Sequence, residues 1–178
     1  MAPRRVSLIE MKPWQFVLVG IAGAGILAWV TLGISDRKSA QLEGSITQVR
    51  TLAMDERSSV AIVDFEADNP SDVVMMIGDR TLSIINQKGI AYEGRTLTSF
   101  DVKGLFEYFP ALGAMKNEPL VKRVRVGAGE KVGGMIAARF EIPKHELDLR
   151  QELTLVIADI DGGISTLRSE SPTRPTKK

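Results

Sequence analysis

The sequence predicts a mainly β protein: one N-terminal transmembrane helix followed by an antiparallel β-sandwich carrying a short helical insert. Three observations carry this prediction. Residues 13–35 contain no Lys, Arg, Asp or Glu, although the whole 178-residue chain is 25% charged. Beyond them the apolar residues fall into short β-branched runs separated by Gly, Pro, Asn and Asp, the signature of a sandwich. One aromatic-rich stretch, residues 99–115, breaks that pattern with helical spacing.

The first element is the uncharged run Trp14–Ser35. A helix rising about 1.5 Å per residue needs about 20 residues to cross roughly 30 Å of hydrocarbon. Trp14 and Trp29 lie towards opposite ends, where indole rings favour the interface. Arg4, Arg5 and Lys12 precede the run, and Arg37 and Lys38 follow it. This bias, with the free amino terminus, puts residues 1–13 in the cytoplasm and the C-terminal domain in the periplasm or outside the cell. A cleaved signal peptide is the alternative. Its apolar region spans about 7–15 residues, shorter than this one, and residues 31–35 make a poor cleavage site. Gly20, Ala24 and Ala28 repeat every four residues and are expected to form a small-residue helix-packing ridge. The plainer reading is that Gly and Ala are common in membrane helices.

Residues 36–44 are polar and read as a linker, with the sandwich expected over 45–168 and a disordered tail over 169–178. Ile46, Val49, Leu52 and Met54 open a β-like stretch. The run Ser59–Phe65 (SVAIVDF) is a strong strand, ended by the turn residues Asn69-Pro70-Ser71-Asp72. Strands are expected at Val73–Ile77 and Arg80–Ile85, with a hairpin turn at Asn86–Gly89 and a return at Ile90–Tyr92. Further strands follow at Leu120–Val126, Lys131–Ile142, Leu153–Ile160 and Ile164–Arg168. In the insert, Ser99 can cap a helix over Phe100–Phe109, which Pro110 ends. A second short helix is expected at Lys144–Arg150.

No chemistry of catalysis emerges. The chain has no cysteine and one histidine, His145, which excludes disulfides, thiolate sites and a multi-histidine metal site within one chain. A formal charge of +1 argues against nucleic acid as a general partner. Gly127–Gly134 is flanked by strands and reads as a hairpin, since a phosphate loop must open a helix. Asp159–Gly163 lacks the glycine that a calcium loop requires at its sixth position and reads as a tight turn. His145 has no serine motif beside it. Lys122, Arg123, Arg125 and Lys131 form the densest basic cluster, either for an acidic surface or simply a solvated strand face.

The strongest candidate surface is the insert, with Phe100, Leu105, Phe106, Tyr108 and Phe109 as partner-contact residues. Four of the ten aromatic residues fall within it, too many to face one core. They mark a contact surface, or the helix plugs one end of the sandwich.

The segments Val60–Asp72, Gly127–Pro143 and Leu153–Gly163 resemble immunoglobulin-like bacterial sandwich domains of the DUF4352, telokin-like kind, and the LEA14/WHy type. The pattern is a strand ending in Asn-Pro, then a glycine turn feeding a long strand that ends Phe-x-Ile-Pro. The resemblance implies a binding or scaffolding module without enzymatic activity or cofactor. Together these readings point to a single-pass protein of the inner (cell) membrane, partnered by the lipid bilayer and by other membrane subunits. A tethered module for a small ligand or envelope component is the alternative.

Overall fold

The computed structural model describes residues 40–170. The expected membrane span, its Gly20/Ala24/Ala28 ridge and residues 171–178 lie outside the described residues, whereas Ser169 and Glu170, expected in a disordered tail, pair within the last strand. Among the described residues no helix is long and apolar enough to cross a membrane.

Among the described residues eight strands form: β1 Glu43–Ala53, β2 Ser59–Asp68, β3 Met75–Ile85, β4 Ala91–Thr96, β5 Arg125–Val126, β6 Lys131–Phe140, β7 Glu152–Asp159 and β8 Ile164–Glu170. Between β4 and β5 lie helix α1, Ser99–Tyr108, and a 3₁₀ turn, Pro110–Leu112; helix α2, Lys144–Asp148, precedes β7. Every strand ladder is antiparallel. The strand order is β1-β2-β6-β4-β3-β7-β8, with the two-residue β5 added beside β3. Without β5, the order divides into a group of four, β1-β2-β6-β4, and a group of three, β3-β7-β8. β4 makes the corner between the layers, because Ala91–Gly94 pair with β3 while Arg95 and Thr96 pair with β6. At the opposite seam Leu42 N donates to Ser165 Oγ at 2.7 Å, so the curled sheet nearly closes on itself.

Alternation builds the main core. On β7, Leu153, Leu155 and Ile157 point inward while Thr154, Val156 and Ala158 point out, as a pleated strand demands. β2 departs from this, because Ser59 to Phe65 are all buried. Ala61, Val63 and Phe65 enter the main core. Val60 and Ile62 face the other way, into a second cluster with Met135 and Ala137 of β6. A strand covered on both faces reads as a continuous apolar run, which is what SVAIVDF is.

The structure redraws three expected elements. Leu120–Val126 is not one strand: only Arg125–Val126 pairs. Lys122 and Arg123 form a turn, with Arg123 at φ 66°, held where Arg123 N donates to Ile77 O and Ile77 N to Val124 O at 2.7 and 2.9 Å. Residues 73–77 and 80–85 do not form two strands, because β3 runs through Gly78 with an irregular register between Ile77 and Arg80. At the start of the domain Ala40 and Leu42 are already buried in the main core, so folded structure takes in part of the polar stretch 36–44.

Candidate functional site

The insert is built from its own sequence outward. Thr98, not Ser99, caps α1: its Oγ1 accepts from Asp101 N at 3.2 Å, while Asp101 Oδ2 accepts from Thr98 N at 3.2 Å. This reciprocal box satisfies two orphan backbone donors. Val102, Leu105, Phe106 and Phe109 then fall at i, i+3, i+4 and i+7, the inward stripe of an amphipathic helix. Pro110 halts the helix and starts the 3₁₀ turn, and Gly113 takes φ 74° to leave it.

That stripe packs on the outer face of β2 and β6. Val102, Leu105 and Leu112 are buried against Val60, Ile62, Met135 and Ala137, with Phe106, Phe109 and Met115 partly buried around them. The insert therefore lies flat as a third layer, instead of plugging an end of the sandwich. The five expected contact residues divide accordingly. Leu105 belongs to the second core. Phe106 and Phe109 are its half-buried rim. Phe100 and Tyr108 fall off the stripe and are 85% and 81% exposed.

A polar node, which the sequence reading did not find, ties the layer down. Arg50 of β1 and Asp64 of β2 form an ion pair whose Asp64 side chain is 1% exposed. Arg50 Nη1 donates to the carbonyls of Leu112 and Ala114 at 3.2 and 3.1 Å. Asn117 Nδ2 donates to Asp64 Oδ1 at 3.1 Å, and the Arg50 guanidinium lies 5.0 Å from the Phe106 ring centroid. One signal was present in the sequence: an aspartate inside an otherwise apolar strand, which burial permits only if the charge is paired.

A second feature is an open cleft of about 520 Å³ beside the start of α1, lined by Arg80, Thr96, Thr98, Leu120 and Lys122 among others. Protein groups already engage its cations. Arg80 donates to the Leu120 carbonyl, and Lys122 pairs with Asp79, holding that carboxyl below its usual range. The other basic residues of that cluster, Arg123, Arg125 and Lys131, are exposed. His145 is exposed on α2. Asp159 is buried, and its Oδ1 accepts from Met76 N at 3.0 Å. The residues after it turn through Gly162 at φ 101°. Among the described residues no cluster of His, Cys, Asp or Glu is placed to hold a metal ion.

No family model and no curated protein matches the chain. Among solved structures it is similar to the archaellum periplasmic stator protein complex FlaF and FlaG from Sulfolobus acidocaldarius. That match has 11% identity and a TM-score of 0.30, and covers 76% of this chain and 93% of that one. It is similar to FlaG of the same organism at 10% identity and a TM-score of 0.33, over 74% and 100% of the two chains. A third likeness, to the Iho670 flagellar-like filament, has 12% identity and a TM-score of 0.32 over 90% and 97%. Likenesses this distant assign neither a family nor a role to the chain.

Proposed function

We propose that this chain is a non-enzymatic, single-pass membrane protein of the inner (cell) membrane. Residues 14–35 anchor it, with the Gly20/Ala24/Ala28 face packed on a neighbouring membrane helix. The sandwich stands on the extracytoplasmic side as an accessory or structural subunit of a larger complex. Its protein contact is the outer side of α1, centred on Phe100 and Tyr108. The observation carrying this reading is their exposure on a helix that is otherwise tied down. The second core holds α1, and the buried ion pair holds the carbonyls of Leu112 and Ala114 just after it, yet among the described residues Phe100 and Tyr108 are held in water. Rigidly presented aromatic side chains are characteristic anchors of protein interfaces.

The test is extraction of the full chain in mild detergent followed by size analysis, for wild type and for Phe100→Ser/Tyr108→Ser. Wild type is expected to migrate in an assembly much larger than 19.5 kDa, and the double variant as a smaller species with unchanged thermal stability. A wild-type chain that migrates alone, or an assembly indifferent to both substitutions, would overturn the proposal.

A further inference from the structure

The strand ladders give the sandwich two ends. One end holds the start of β1, the β2–β3 and β5–β6 loops and the β7–β8 turn, because Glu43 pairs with Asp68, Asp68 with Lys131, and Leu42 N bonds Ser165. The other end holds the β1–β2 and β3–β4 loops and α2.

At the first end, the outer side of the second layer carries an apolar patch far along the chain from the insert. Val74, Ile160 and Ile164 are 45%, 54% and 59% exposed. Ile160 N donates to Met76 O at 3.0 Å, which sets the β7–β8 turn against the start of β3. Ile160 Cγ1 lies over Gly78, 3.4 Å from where a Cβ would stand there. Ile164 pairs across the ladder with Ala158. The patch is made of branched aliphatic side chains that gain little from water and form no part of either core.

Where the chain joins the domain decides what covers the patch. The uncharged run ends at Ser35, and Ala40 is already buried in the core. Only residues 36–39 intervene, so Ser35 and Ala40 can lie at most roughly 17 Å apart, five residue steps fully extended. A bilayer of about 40–45 Å with a hydrocarbon core of about 30 Å has interfacial zones roughly 5–8 Å deep on each side. This end of the sandwich is thus tethered within reach of the lipid surface.

We propose that Val74, Ile160 and Ile164 seat this end of the domain in the headgroup region of the bilayer that holds residues 14–35. The inference rests on the anchored reading given above. The contact is apolar, so it requires no anionic lipid and is insensitive to salt.

The chain has no cysteine, which allows a clean test. Ile160→Cys, and Ile90→Cys in the β3–β4 turn at the opposite end, are introduced separately into the full chain. Each is labelled with a polarity-sensitive dye and reconstituted into phosphatidylcholine vesicles. The label at 160 is expected to be blue-shifted and quenched several-fold more by a lipid-borne nitroxide than the label at 90. Equal quenching at both sites, with the chain still resistant to carbonate extraction, would overturn this inference and leave the anchor standing. Release of the chain by carbonate would remove the anchor and the inference together. A label at 160 that is shielded in native membranes but wet in pure vesicles would overturn it in favour of a protein covering.

Discussion

Asp64 lies within β2 among side chains that are all buried, and Arg50 reaches it from β1 as its ion-pair partner. Burying two charges costs several kcal/mol each, which their attraction offsets only while both are present. The Arg50 Nε is itself buried with no hydrogen-bond acceptor, so the guanidinium depends on Asp64 and on the two insert carbonyls. Asp64→Ala is therefore expected to cost about 3–5 kcal/mol in urea unfolding, the usual loss when one partner of a buried pair is removed. The double variant Arg50→Met/Asp64→Leu should lose far less, because no uncompensated charge remains. A single variant within about 1 kcal/mol of wild type would mean that water reaches the pair. Asn69 is a comparable case. Its Nδ2 donates to the carbonyls of Val73, Val126 and Gly127 at 2.8, 3.1 and 3.1 Å, and its Oδ1 accepts from Ser71. The Asn-Pro pair announced a turn in the sequence. The buried node behind that turn was not legible, because two of its acceptors come from residues more than fifty positions away.

α1 separates two kinds of apolar residue on one helix, and substitution should tell them apart. Leu105→Ala removes buried methyl groups from the second core and is expected to cost about 2–5 kcal/mol. Phe100→Ser and Tyr108→Ser change highly exposed positions and should stay within about 0.5 kcal/mol. Thermal unfolding of the three variants checks this, and a large loss at Tyr108 would place that ring in packing contact. The helix itself was legible from Asp101 and Pro110. Its cap was misplaced by one residue because Thr98 and Ser99 are both capping types, and only the three-residue spacing to Asp101 chooses between them. The strand expected at 120–126 failed for a different reason. Its β-branched composition suits a strand, but the Ile77 backbone pairs with Val124 and Arg123 and bends the chain into a turn. Local propensity is a weak guide where a tertiary hydrogen bond competes with it.

At the scale of the molecule, turn residues and alternation pointed to an antiparallel sandwich, and eight strands form among the described residues. What they could not show was the third layer. A run buried on both faces says that something covers the outer side, not which segment does so. The charged surface adds a property that no single element has. Asp55, Asp79 and Asp148 all titrate below the ordinary aspartate value of about 3.9. At Asp55 the cause is the hydrogen bond from Ser58, aided by the Arg57 backbone. At Asp79 it is the hydrogen bond from Lys122 and that residue's charge. At Asp148 burial pushes upward, but hydrogen bonds from Lys144 and Thr51 and the charges of Lys144 and Arg150 outweigh it. A carboxyl depressed on folding contributes stability above its unfolded pKa and loses it as pH falls through the folded value. Stability is thus expected to hold from neutral pH to about 5 and to decline below about 4. Asp55 and Asp79 are largely solvent-exposed and Asp148 partly so, and the decline should therefore be shallow and further reduced by salt. Urea unfolding across that range at low and high ionic strength measures it. Stability that rises on acidification would show that buried groups, not these surface pairs, govern the response.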